Sequence, residues 1–123
     1  MYENEISYQY YSELLESFVA EMQYRIDKDY KENYDCLTPP TINTTKGGKY
    51  IKVTRVHEDS NDSVICFIAT QSFTNKTMGK VEAGDIFKAA TYKTPAKHAR
   101  GNILNDDNGF SAFSRGGNIR YAN

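Results

Sequence analysis

Apolar residues spaced four apart near the start of the chain restrict its fold more than anything that follows. Ile6, Tyr10, Leu14, Phe18, Met22 and Ile26 recur at that interval, and Tyr11, Leu15 and Val19 widen the stripe, as an amphipathic helix requires. Neither Gly nor Pro interrupts residues 3–28. Glu3 and Glu5 lie where the helix dipole is positive, and Asn4 is placed to cap it. The pattern predicts one helix over 3–28 that ends by about residue 30, ahead of Pro39 and Pro40. A helix of about 25 residues is roughly 38 Å long, while a compact domain of this chain length is roughly 35 Å across. A helix as long as its domain, with so broad a stripe, predicts a homodimer formed through residues 1–30. The plainer reading is a single long helix crossing a sheet.

The rest of the chain reads as strands. Residues 29–48 are polar, lack a helical period and end in Gly47-Gly48, so they are expected as a loop. KYIKVTRVH (49–57) alternates, with the register breaking near Arg55, and SVICFIA (63–69) is apolar enough for a central strand. Together they predict an antiparallel hairpin. Residues 71–80 are expected as a connection, and Val81 to Tyr92 as two short strands about the turn Glu82 to Asp85. The fold class is therefore α+β, a long N-terminal helix packed with a small antiparallel sheet and dimerised through the helix. At 123 residues the chain is one domain. Residues 49–104 supply the sheet and a basic segment, and 105–123 a tail.

Charge is distributed unevenly. Residues 1–75 hold seven Lys/Arg against twelve Asp/Glu, and residues 76–123 hold eight against four. A basic C-terminal half on a chain of net charge −1 points to a local anionic ligand and away from a long duplex footprint. The basic segment is Gly84 to Ile103, GDIFKAATYKTPAKHARGNI, with Lys88, Lys93, Lys97, His98 and Arg100 against the single acid Asp85. Its alternation stops at Pro95, which has no N–H for a ladder, and AKHARGN is expected as a loop. Lys97, His98, Arg100 and Asn102 are candidates to ring a phosphate or a base edge. Solvated surface is the plainer account of such a run.

Three further groups are candidate ligand contacts. Arg115 and Arg120 flank Gly116-Gly117 on the tail, where they would clamp phosphate. Tyr92, Phe110 and Phe113 offer stacking surfaces for a base, with core packing as the alternative. Arg25 lies beside Met22 and Ile26 on the helix, placed to enter an interfacial pocket or to pair with an acid across an interface. The turn signal Asp106-Asp107-Asn108-Gly109 precedes the tail, which is read either as a lid that closes over ligand or as a permanent edge strand.

Nothing in the chain reads as an enzyme. His57 and Cys66 are the only thiol–imidazole option, and Cys66 lies in an apolar run, whereas a nucleophilic thiolate needs partial exposure. Cys36 and Cys66 form no CxxC pair, and with two histidines they leave too few ligands for a metal site. No cofactor is expected. No apolar run reaches membrane-span length and the N-terminus is too polar for a secretory signal, so a reducing cytoplasm is the expected location.

The basic segment, preceded by FTNKTMGKVEAGD and followed by NGF and IRY, resembles a signature found in small phage proteins: GD, a hydrophobic residue, KA, an aromatic, then PAK and ARGN. The similarity covers about fifty residues, from Phe67 to Arg120. It resembles the first-described Thoeris anti-defence family, bacteriophage sponge proteins that sequester cyclic ADP-ribose isomers made by bacterial TIR enzymes. The resemblance implies non-catalytic nucleotide binding in the infected bacterial cytoplasm, with ligand held between protomers. It also implies that assembly of dimers brings Arg100 segments together as a second site for cyclic oligonucleotides. The alternatives are a phage accessory protein that binds a host protein and a weak single-strand or tRNA-binding module.

Overall fold

The computed structural model describes residues 8–58, 61–114 and 116–120. Among these residues there is one α-helix, α1, which spans Tyr8–Asn33, further than the expected end near residue 30. Tyr30, Lys31, Glu32 and Asn33 contain no breaker, Asn33 Nδ2 donates to Asp29 at 2.8 Å, and the Tyr34 amide still reaches the Tyr30 carbonyl at 2.8 Å. The expected start, with Glu3, Asn4, Glu5 and Ile6, lies outside the described residues.

The buried face of α1 is not quite the predicted one. Tyr11, Phe18, Met22 and Ile26 are buried, whereas Tyr10 is half exposed. Spacing of four overshoots the 3.6-residue turn by about 40° per step, so a line drawn back from Ile26 has rotated by about 160° at residue 10. Tyr11 takes that place, and its hydroxyl donates to the Ala69 carbonyl at 2.7 Å. Leu15 and Val19 pack against the same core. The breadth of the stripe is thus met within one chain.

Seven strands follow: β1 (Thr41–Lys46), β2 (Tyr50–Val56), β3 (Ser63–Ala69), β4 (Phe73–Asn75), β5 (Gly79–Val81), β6 (Asp85–Ala89) and β7 (Pro95–Asn102). Five make an antiparallel sheet in the order β1-β2-β3-β6-β7, and β4 pairs only with β5. The expected β2–β3 hairpin is present. Three expectations are corrected. The polar loop 29–48 contains β1, and the connection 71–80 contains most of the β4–β5 hairpin. The basic run after Pro95 is a strand, not a loop. Pro95 is its first residue and lies on an edge, where a missing N–H costs no ladder bond. β5 and β6 do flank the turn after Val81, but each pairs elsewhere.

The sheet is covered on both faces. Ile42, Ile51, Val53, Cys66, Ile68, Ile86 and Ile103 meet α1, while Ala69, Val81 and Phe87 form a second cluster with Tyr50, Phe73 and Met78. The Tyr50 ring stands edge-on to Phe67, Phe73 and Phe87 at 6.0, 5.7 and 6.1 Å between centroids. Among the described residues no helix is long and apolar enough to cross a membrane.

The tail closes the core. The expected turn forms, with Asn108 and Gly109 both left-handed (φ 56° and 79°). Asp107 accepts from the Gly109 and Ser111 amides at 2.9 and 3.1 Å. A short 3-10 turn (Phe110–Ala112) follows. Phe113 then bridges to Ile119 and stacks on Phe18 at 4.6 Å, and Phe113 and Ile119 are both buried. The bridge is internal to the segment, which joins the main core by burying Ala112, Phe113 and Ile119. Tyr121 lies outside the described residues.

Candidate functional site

The basic residues of the sheet converge because of its bulges. The β6–β7 ladder pairs Ile86 with Gly101 and Phe87 with Ala99, so Arg100 is the extra residue between them. The β2–β3 ladder slips at Val53/Thr54, one residue before Arg55. A bulge re-aims the side chains around it, and both arginines turn toward the tail. The Arg55 Nη2 group donates to Asn118 Oδ1, and Arg100 Nη1 donates to the Arg120 carbonyl at 2.8 Å. Lys88 Nζ donates to the Ile119 carbonyl at 3.1 Å, and Arg120 Nη1 to the Ser111 carbonyl at 3.3 Å. On the other side of the tail the Arg25 guanidinium sits 4.9 Å above the Phe113 ring, close enough for a cation–π contact.

The stretch from Ser111 to Arg120 contains no carboxylate, so the donors meet neutral carbonyl and amide oxygens. Ion pairs form between Arg25 and Glu21 and between Lys80 and Glu82, and neither involves Arg55, Arg100 or Arg120. One donor is left over. Arg55 Nε is buried and has no hydrogen-bond partner, an expensive state for a guanidinium N–H. The same guanidinium reaches the tail only through Nη2, at Asn118.

The predicted contacts divide accordingly. Arg100 and Arg120 meet at the tail, and Arg25 and Phe113 meet across it. Phe110 is half buried, 6.0 Å from Phe113, and packs on the core. Met22 is fully buried in the core. Arg25 pairs with Glu21 of its own helix at 2.7 Å. The groove beside it is open and mixed in sign, with Glu21, Asp29 and Glu32 facing Arg25 and Lys28. Asn102 is tied up structurally: Nδ2 donates to the Ala83 carbonyl and to Asp85 at 2.9 Å each, and Oδ1 accepts from the Leu104 amide at 2.7 Å. Lys97 and His98 are exposed on β7, away from any shared site, although Arg100 Nε donates to the His98 carbonyl at 3.1 Å. Tyr92 is 55% exposed in the β6–β7 turn, with Lys52 Nζ 4.2 Å from its ring centre. Arg115 lies outside the described residues.

A family model matches residues 2–122, nearly the whole chain. The chain belongs to DUF7717, a family of unknown function. No curated protein and no solved structure matches it. In this DUF7717 chain the thiol–imidazole option is removed by burial. Cys66 is fully buried, and desolvation pushes its thiol well above the ordinary range, with the Lys88 charge opposing only in part. Arg55 and Lys88 were not among the candidate ligand contacts. The only sequence signal for Arg55 is the break in alternation beside it.

Proposed function

We propose that this DUF7717 protein binds a small, multiply charged anion at the basic cluster around its C-terminal tail and holds it without turnover. The carrying observation is that Arg55 and Arg100 both donate to one segment without carboxylates, which itself bears Arg120. A phosphate is an acceptor of the right charge for such a cluster, and guanidinium groups bind phosphate in charge-assisted pairs. The ligand class is a cyclic nucleotide: the resemblance to Thoeris anti-defence sponges supports cyclic ADP-ribose isomers first and cyclic oligonucleotides second. Sequestration of such an immune signal in an infected bacterium requires binding alone. This reading needs no second copy at α1, because Phe18, Met22, Ile26, Leu15 and Val19 all meet the core of their own chain.

Calorimetric titration with cyclic ADP-ribose isomers, cyclic oligonucleotides and ADP-ribose tests the proposal. Stoichiometric binding is expected, with ligand recovered chemically unchanged after heat release. Arg100→Ala should weaken it about tenfold, the loss of one hydrogen bond to a charged group. Absence of binding to every ligand at working protein concentrations would defeat it. The exposed Tyr92 beside Lys52 favours a second reading, a single-strand nucleic-acid surface. That reading demands a steep salt slope with an oligonucleotide and a loss on Tyr92→Ala.

A further inference from the structure

The turn at 106–109 joins two residues that react with each other in a free chain. In an Asn-Gly pair the glycine backbone nitrogen can attack the asparagine side-chain carbonyl carbon. Glycine hinders that approach least, because it has no side chain. The fold demands this pair. Asn108 has φ 56° and Gly109 φ 79°, conformations that asparagine and glycine tolerate best. A Cβ at Gly109 would lie 2.7 Å from Ile86 Cδ1 and 3.3 Å from the Asn102 carbonyl oxygen, so a side chain there is excluded. Asn108 is fixed by its amide: Nδ2 donates to the Leu14 carbonyl of α1 and to the Ile103 carbonyl, each at 3.0 Å. Aspartate has no donor for either.

The same contacts hold the pair unreactive. Cyclisation needs the Asn108 side chain to swing onto the Gly109 nitrogen, which breaks both Nδ2 bonds. It also needs that nitrogen to give up its proton. The proton is donated to Asp107 Oδ1 at 2.9 Å, and a carboxylate beside the amide opposes its ionisation. The Leu14 bond is lost when the tail leaves α1, and all three are lost when the turn itself unfolds.

We propose that Asn108 is a self-modification site, held unreacted by the native fold and converted once the chain opens, which makes that opening irreversible. The Gly109 nitrogen bonds to Asn108 Cγ, and its proton leaves with the side-chain nitrogen as ammonia. A succinimide remains. Water then opens the ring at either carbonyl, leaving aspartate or isoaspartate at position 108. Aspartate sets an oxygen where Nδ2 met two carbonyl oxygens, acceptor against acceptor. Isoaspartate lengthens the main chain inside the turn. Neither product re-forms the contact with α1, so a chain that has opened and reacted does not return to the native population.

The test incubates the full chain at neutral pH, native and in guanidinium chloride, beside a synthetic peptide of residues 101–115. Tryptic digestion releases that same peptide from the protein, between Arg100 and Arg115, and mass spectrometry with chromatography resolves its asparagine, aspartate and isoaspartate forms. The unfolded chain should react at the rate of the synthetic peptide, and the native chain at least about 10-fold more slowly, through openings alone. A native rate equal to that of the peptide overturns the protection. After dilution from denaturant, unreacted chains should recover the native melting temperature and chains modified at 108 should not. Equal recovery overturns the irreversibility. Asn108→Gly keeps a residue suited to the left-handed backbone and has no amide to lose, so it should regain its own starting melting temperature after the same exposure. If it loses recovery as the wild type does, the damage lies elsewhere and the proposal falls.

Discussion

Gly117 shows how much one residue of the tail carries. Its φ is +82°, and a Cβ there would lie 2.8 Å from Ile26 Cγ1 and 3.0 Å from the Met22 carbonyl oxygen. The left-handed backbone alone costs an L-residue about 1–2 kcal/mol, and the helix carbonyl is unable to move aside. Gly117→Ala is expected to lower unfolding free energy by at least that amount in urea titration. Asn102 is the second such residue. Asn102→Ala strips partners from the Leu104 amide and the Ala83 carbonyl, for an expected loss of about 1–3 kcal/mol by the same measurement. Asp107 adds a pH dependence of known sign. The Ser111 hydroxyl, then the Gly109 amide, hold its carboxyl below the usual carboxylate range. A depressed carboxyl contributes stability above its unfolded pKa and loses it as pH falls through the folded one. Stability should therefore decline on acidification below about pH 4, and Asp107→Asn should flatten that part of the profile.

The tail is the element whose removal separates the two sequence readings of it. Deleting residues 115–123 takes away Ile119 and Gly117 and uncovers Phe113 and Ile26. Loss of a buried isoleucine alone costs about 2–5 kcal/mol, so the truncated protein should melt well below the intact chain without any ligand present. A truncation that leaves the melting temperature unchanged would restore the lid. The helix, the β2–β3 hairpin and the turn at 106–109 were legible because each carries its own period or turn residues. β1 was not, because an edge strand whose inward residue is Ile42 alone shows no alternation. β7 was hidden by Pro95, read as a terminator where the edge makes it a first residue. The basic cluster was half legible: Arg100 and Arg120 stand out by composition, but Arg55 and Lys88 are brought in by pairings that only the assembled sheet creates.

At the scale of the molecule, the charge asymmetry of the sequence becomes a local field. Arg55, Lys88, Arg100 and Arg120 all donate within or onto one short segment, with Arg25, paired to Glu21, on its other side, and like charges held together oppose folding. Sulfate or phosphate is therefore expected to raise the melting temperature more than chloride at equal ionic strength, by ligand linkage. Arg100→Ala should reduce that difference. Equal effects of all three salts in the wild type would remove the case for an anion site. The stacking of Phe18 on Phe113, and the Asn108 side chain reaching the Leu14 carbonyl from 94 positions away, bear on how the protein is born. The helix leaves the ribosome about ninety residues ahead of the Asn108 and Phe113 side chains that complete its packing. Nascent chains thus present that apolar stripe to proteases and chaperones while those ninety residues are added, and a chain broken off before Asn108 never hides it.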